Sequence, residues 1–218
     1  MPLRHDTNAS GTELNREVEG SPDYSDLELA MFIEELGRHL AISSIPELER
    51  SLKMDSGFWN VVSIREPAVP RPAFLRHAKR VHEAIFEDRE NVDPDVPCIP
   101  PRREHLTGIL RFVDAHPGEP ILVHCLAGLS RSPAVALTLV VRGLLAQGAD
   151  LGAQSALVHR AVNLLLQIRP QSRPNALVLQ VGLEEFLPME VARQLAIMLV
   201  NHPVLKENRS VTPRARLT

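Results

Sequence analysis

The sequence has few cysteines and no long apolar run, and each absence limits the kind of protein it can be. Only Cys98 and Cys125 occur among 218 residues, which excludes a disulfide scaffold and favours a reducing compartment. The most apolar stretch, residues 134–146, is too short to cross a bilayer and contains Arg142. The first residues lack the apolar core of a signal peptide. We therefore expect a soluble, cytoplasmic protein without a membrane partner.

The charge balance and the absence of certain motifs argue against nucleic-acid-binding, nucleotide-binding and metal-binding proteins. The formal net charge is -3 and the pI is about 6.3, so no basic surface favours nucleic acid. The sequence contains no glycine-rich nucleotide motif, and its nine histidines show no metal-ligand spacing. We expect neither a cofactor nor a metal.

The composition divides the chain into one folded domain and two tails. Residues 1–24 are polar and aperiodic and are expected to be disordered. Residues 25–205 are expected to form the domain, and residues 206–218 a frayed basic tail. The SDLE sequence at residues 25–28 resembles a capping box and predicts a helix with Leu27, Met31 and Leu36 on one side.

Strand-like and helix-like segments alternate within the domain. Apolar or β-branched runs predict strands at 58–64, 80–86 and 119–125. Apolar periodicity, and Pro46 in a first turn, predict helices at 46–53, 103–116, 131–147, 153–168, 174–186 and 189–200. This alternation predicts an α/β fold with a central, mostly parallel sheet flanked by helices. Ligands bind such sheets at the carboxyl ends of the strands, where Cys125 lies.

The segment ILVHCLAGLSRS, residues 121–132, carries the clearest chemical signal. A buried strand leads to Cys125, and five residues separate Cys125 from Arg131. Such a loop can turn its amides inward as an anion nest at a helix N-terminus, while a guanidinium holds two phosphoryl oxygens. The predicted phosphate ligands are Leu126, Ala127, Gly128, Leu129, Ser130 and Arg131.

The same loop predicts nucleophilic catalysis by Cys125. A helix N-terminus and a neighbouring cation stabilise a thiolate, and a thiolate beside a bound phosphate is a ready nucleophile. The Ser132 hydroxyl is placed to hydrogen-bond the sulfur and to help it leave when a phospho-cysteine intermediate is hydrolysed. His124 is interpreted as a residue that braces the loop, because a thiolate stabilised by its surroundings needs no base.

HCLAGLSRS resembles the signature loop of the cysteine-based protein tyrosine and dual-specificity phosphatases, in which His-Cys, five residues, Arg and Ser or Thr follow one another. The likeness extends over about residues 40–187 and includes VVSI, IFED and RPQSRPNALVL. These segments are similar to compact dual-specificity-like enzymes, many of them bacterial. The resemblance implies a tyrosine-phosphatase-like fold and phosphorylated proteins or peptides as substrates.

The resemblance also implies an aspartic general acid on a mobile loop upstream of the cysteine. Asp88 follows the strand-like AIFE segment, as the family pattern requires, and is the preferred candidate. Asp93 and Asp95 lie in the proline-rich VDPDVP loop and are the alternatives.

The family pattern gives Asn175 a bracing role beside the catalytic loop, and a simple helix start after Pro174 is an equal alternative. Arg169 and Arg173 are expected to be solvated surface residues, and a wider positive field around the pocket is the alternative. Cys98 is expected to be unpaired, although some relatives protect the nucleophile with a second cysteine.

Two functions follow from these predictions. The first is a phosphatase that hydrolyses phosphotyrosine, with phosphoserine and phosphothreonine left open as substrates. Residues 126–130 contain no lysine, which argues against a phosphoinositide substrate. The second is a phosphatase-fold protein that binds phosphorylated partners without turnover, because the general acid is not fixed by the sequence.

Overall fold

The computed structural model describes residues 30–91, 95 and 97–210 of the chain. These residues form a five-stranded sheet with helices on both faces. The strands are β1 (Ala30–Ile33), β2 (Arg38–Ser43), β3 (Asn60–Arg65), β4 (Arg80–Ile85) and β5 (Ile121–His124). The helices are α1 (Ile45–Met54), α2 (Arg103–Asp114), α3 (Arg131–Ala146), α4 (Gln154–Ile168), α5 (Ala176–Leu183), α6 (Met189–Val200) and α7 (Pro203–Ser210).

The sheet is mixed but mostly parallel, in the order β1-β2-β5-β3-β4. Only β1 runs antiparallel, on the outside of β2. The central strand β5 pairs in parallel with β2 and β3, so that His124 lies opposite both Ser43 and Ser63. The predicted α/β fold, with a mostly parallel sheet between helices, is confirmed.

Two apolar clusters cover the two faces of the sheet. The smaller cluster joins α1 to one face through Leu48, Leu52 and Trp59. The larger cluster packs the other face against α3, whose residues are almost all buried. Alternation along β5 explains the division, because Leu122 faces the smaller cluster while Ile121 and Val123 face the larger one. The sheet is therefore buried on both sides, which fixes the position where β5 ends.

The predicted strands β3, β4 and β5 and the predicted helices α1 to α6 are present, with boundaries within a few residues. The helix predicted from Ser25 is wrong over residues 30–33, which form β1; residues 25–29 lie outside the described part of the chain. Strand β2 was not predicted. Both errors have one cause: β1 and β2 are short segments without a clear strand pattern, and they pair with each other and, through β2, with β5.

Helix α7 continues through residues 206–210, which the sequence analysis assigns to a frayed tail. Its Leu205 is fully buried, so apolar packing stabilises this helix against the domain. Residues 211–218 and 1–24 lie outside the described residues. Within the described ranges, no helix combines the length and apolarity needed to span a membrane.

Candidate active site

The site lies where the parallel strands end. Strands β2, β5, β3 and β4 point the same way, so their carboxyl ends meet at one edge of the sheet. The residues that follow these ends, beginning with Ser44, Cys125, Glu66 and Phe86, therefore converge on the N-terminus of α3.

Gly128 allows the loop between β5 and α3 to close on itself. Its φ is +67°, in the left-handed region that other residues rarely adopt. A Cβ atom at this position would lie 2.7 Å from Ser43 C and from Ser44 N. The loop therefore packs directly on the backbone that follows β2, and only glycine fits there.

The carbonyl groups of the loop are bonded to the surrounding protein. Leu126 O accepts a hydrogen bond from Ile45 N (3.2 Å), and Leu129 O accepts one from Arg173 N (2.7 Å). Ser130 O accepts one from Asn175 N at 3.2 Å. Because a trans peptide places its N–H opposite its C=O, the amides that follow these carbonyls face the inside of the loop. This is the arrangement of an anion nest.

Cys125 lies at the base of the loop and is only 2 % exposed. Its Sγ is 3.1 Å from Ser132 Oγ, the distance of a hydrogen bond to sulfur. Ser132 belongs to the first turn of α3, whose unpaired amides and dipole favour negative charge. The arrangement places a thiol, a hydroxyl group and a helix N-terminus close together.

Arg131 is fixed under the loop, with 2 % of its side chain exposed. Nη1 donates to Phe86 O at 2.8 Å, and Nη2 donates to Glu66 Oε1 at 3.2 Å. A guanidinium has five N–H donors, so the remaining donors stay available for an anion. Glu66 holds the guanidinium in place and partly balances its charge.

Asp88, the preferred candidate for the general acid, lines this site. Its Oδ1 accepts hydrogen bonds from Ser130 Oγ (2.8 Å) and from Asn175 Nδ2 (2.7 Å), and its Oδ2 is 3.8 Å from Arg131 Nε. About a third of the Asp88 side chain is exposed. Asp95 lies in an exposed turn.

Of the other predicted acid candidates, Asp93 lies outside the described residues, and Asp95 is not among the residues that line the cavity. Asn175 precedes α5, and both ends of its side-chain amide are used. Its Oδ1 caps α5 by accepting from Val178 N at 2.9 Å, while its Nδ2 holds Asp88. One buried side chain thus starts a helix and positions the candidate acid.

His124 is fully buried, and its Nε2 is 2.8 Å from Ser63 Oγ. Burial, with the nearby charge of Arg131, lowers the pKa of His124 to about 4, against a smaller opposing effect of the Cys125 backbone. The imidazole is therefore neutral near pH 7 and acts as a hydrogen-bonding link between β5 and β3.

Sequence reasoning missed an ion pair that supports the loop. Arg169 was expected to be solvated, but only 14 % of its side chain is exposed, and its Nη1 donates to Glu47 Oε1 at 2.8 Å. Glu47 also accepts from Ser44 N at 2.6 Å, beside the contact with Gly128. Glu66 was missed as well. Its position directly after a parallel strand next to β5 was the available signal.

These residues enclose a cavity of about 460 Å³. The side chains that line it include those of Cys125, Arg131, Asp88, Glu66, Glu90, Arg173 and Arg209. Cys98 and Cys125 are both free thiols, and Cys98 is half-buried. No cluster of metal-binding side chains occurs among the described residues. The cavity is therefore lined by one thiol, three guanidinium groups and three carboxyl groups.

Neither a protein-family profile nor a curated protein sequence matches this chain. Similar solved structures include DUSP15, with 18% identity, a TM-score of 0.49, and 77% of this chain and 94% of that chain covered. The Yvh1 phosphatase domain from Chaetomium thermophilum has 20% identity, a TM-score of 0.47, and coverage of 78% and 94%. The human tyrosine phosphatase-like serine/threonine/tyrosine-interacting protein has 18% identity, a TM-score of 0.47, and coverage of 72% and 94%. The structural neighbours are tyrosine and dual-specificity phosphatases and a phosphatase-like protein.

Proposed function

We propose that this chain is a protein phosphatase that hydrolyses phosphotyrosine through a phospho-cysteine intermediate. The observation that carries the proposal is the convergence of Cys125, Arg131 and Asp88 on one cavity. A binding protein would need the anion nest and the arginine, but it would need neither a nucleophile nor an acid.

The first step transfers the phosphoryl group to the enzyme. The Cys125 thiolate attacks phosphorus, an S–P bond forms, and the ester P–O bond breaks. Asp88 gives its proton to the leaving oxygen, so that the leaving group departs as a neutral alcohol or phenol instead of a charged alkoxide or phenoxide. The loop amides and the free donors of Arg131 hold the phosphoryl oxygens as charge develops.

The second step releases phosphate. Water attacks phosphorus and gives a proton to the Asp88 carboxylate, while the S–P bond breaks and the thiolate is restored. Ser132 Oγ, 3.1 Å from the sulfur, donates a hydrogen bond that stabilises the leaving thiolate. Because this cycle needs a reduced Cys125, it fits the cytoplasm and other reducing compartments.

Phosphate release from p-nitrophenyl phosphate and from a phosphotyrosine peptide tests the proposal. The wild-type protein should turn over both substrates, and Cys125→Ser should abolish turnover. Cys98→Ser is the matched control and should keep the wild-type rate. Phosphoserine and phosphothreonine peptides in parallel define the specificity. Peptide binding without phosphate release would favour a protein that only captures phosphorylated partners.

A further inference from the structure

Helix α7 packs on the segment that supports the catalytic loop. Leu205 on α7 is fully buried. Asn208 Nδ2 donates to Pro170 O (2.8 Å) and to Ser172 O (3.0 Å). The segment that contains Pro170 and Ser172 continues into Arg173, whose backbone N–H donates to Leu129 O in the loop that follows β5. The helix is therefore attached to the rim of the cavity by buried apolar surface and by side chain–backbone bonds.

Arg209 extends this attachment to the segment that carries Asp88. Its Nη1 donates to Glu90 Oε2 at 3.1 Å, and its Nη2 donates to Glu90 Oε1 at 2.9 Å. Nη2 also donates to Pro174 O. The pair is a bidentate arginine–carboxylate contact, which fixes direction as well as distance.

Glu90 is held from a second side by the N-terminus of α5. Its Oε1 accepts a hydrogen bond from Ala176 N at 2.9 Å. Burial alone would raise the pKa of Glu90, but the hydrogen bonds from Arg209 and from the Ala176 amide lower it. Glu90 therefore stays ionised and anchored at neutral pH.

Glu90 is two positions after Asp88, and Arg89, which lies between them, is also held by a hydrogen bond. Arg89 O accepts from Asn175 Nδ2 at 3.2 Å, and the same amide group donates to Asp88. Residues 88–90 are thus fixed by contacts from α5 and α7, whereas the carboxyl group of Asp88 remains a third exposed.

We infer that Arg209, through Glu90, is a positioning residue for the general acid Asp88. This inference rests on the proposed phosphatase function. Surface ion pairs contribute little to the free energy of unfolding. We therefore expect the loss of Arg209 to change the position of Asp88 more than the stability of the domain. A displacement of about 1 Å at a reacting group can cost roughly a hundredfold in rate. Because the Arg209–Glu90 pair is only one of several contacts that hold residues 88–90, its loss should reduce the rate by less. We expect about a tenfold loss of kcat for substrates whose leaving group needs a proton.

The dependence of kcat on the leaving group tests this inference. Arg209→Gln should lower kcat strongly for phenyl phosphate, whose phenoxide needs a proton, and little for a fluorinated aryl phosphate that leaves without one. KM should change little, and Arg209→Lys should recover part of the rate. In Asp88→Asn, adding Arg209→Gln should cause no further loss, because the positioned group is already gone.

Arg142→Gln is the matched control. Arg142 also makes a bidentate pair, with Asp114 at 2.6 and 3.1 Å, and 27% of its side chain is exposed against 29% for Arg209. It does not line the cavity. Its loss should leave the leaving-group dependence unchanged.

Hydrogen exchange gives a readout that does not need turnover. Arg209→Gln should speed exchange in residues 87–91 and leave β5 protected, whereas Arg142→Gln should change neither. Unchanged exchange would overturn the inference whether or not the protein is an enzyme. In an active wild type, equal losses for all substrates, or a change in KM alone, would also overturn it. An inactive wild type would instead refute the proposed function.

Discussion

Asn175 Nδ2 donates a hydrogen bond of 2.7 Å to Asp88 Oδ1, across 87 positions of the chain. The same asparagine starts α5, so its side chain cannot move without loosening the helix. Asp88 is thereby tied to a fixed part of the domain, with its Oδ2 3.8 Å from Arg131 Nε. This relationship places Asp88 among the residues that line the cavity.

Substitution of Asp88 should reveal the general acid. We expect Asp88→Asn to lower kcat for a phosphotyrosine peptide by roughly 10²–10⁴-fold, the usual contribution of a positioned acid. Asp95→Asn is the matched control, because Asp95 is exposed and does not line the cavity. Asp93→Asn completes the series. Three small and equal losses would contradict the assignment.

Gly128→Ala should inactivate the protein by reshaping the loop. The added Cβ would lie 2.7 Å from backbone atoms of Ser43 and Ser44, and backbone cannot move aside cheaply. Gly148→Ala is the matched control, since Gly148 has φ +89° and no atom within 4 Å of its added Cβ. Both changes carry the left-handed strain of about 1 kcal/mol.

Kinetics and thermal unfolding, measured on both Gly128→Ala and Gly148→Ala, test this prediction. Only Gly128→Ala should reduce kcat/KM for p-nitrophenyl phosphate, by at least about a hundredfold, because it displaces groups that hold the phosphoryl oxygens. Similar activity in the two variants would show that close contact with β2 is not what shapes the loop.

His124 should make stability depend on pH. Its pKa is about 4 in the folded protein against an ordinary 6.5, so the unfolded chain binds the extra proton between these values. The free energy of unfolding should therefore fall as pH falls from about 6.5 to about 4. The contribution of this one group is about 3 kcal/mol.

Urea unfolding at pH 7 and pH 4.5 checks this contribution. His124→Gln removes the titrating group and keeps a side-chain amide near Ser63, so its stability should fall less between the two pH values than that of wild type. His159→Gln, on the outer helix α4, is a comparison with a histidine remote from β5. Equal pH dependence in wild type and His124→Gln would contradict the burial argument.

Local chemistry explains how much of the site was predictable. Residues 124–132 are contiguous in the sequence, so Cys125, Arg131 and Ser132 could be identified from spacing within a single segment. Strand β5 was predictable because it is strongly apolar, and helix α3 because it is both long and strongly apolar. Strands β1 and β2 were not, because pairing rather than their own pattern makes them strands.

Contacts between distant segments account for what was missed. Glu66 reaches Arg131 across 65 positions, and Arg169 reaches Glu47 across 122. No local pattern marks such pairs, and charged residues in loops usually face solvent. Asn175 could be assigned to the site only by family resemblance, and its bond to Asp88 required the fold.

Capture of the phospho-cysteine intermediate is the most direct test of Cys125 as the nucleophile. Ser132→Ala removes the hydroxyl 3.1 Å from Cys125 Sγ, so the thiolate should leave the phospho-enzyme more slowly and the intermediate should accumulate. After rapid mixing with p-nitrophenyl phosphate and acid quench, mass spectrometry should find one added phosphoryl group on the peptide that contains Cys125. Turnover that persists in Cys125→Ser, or a phosphoryl group found on another residue, would show that Cys125 is not the nucleophile.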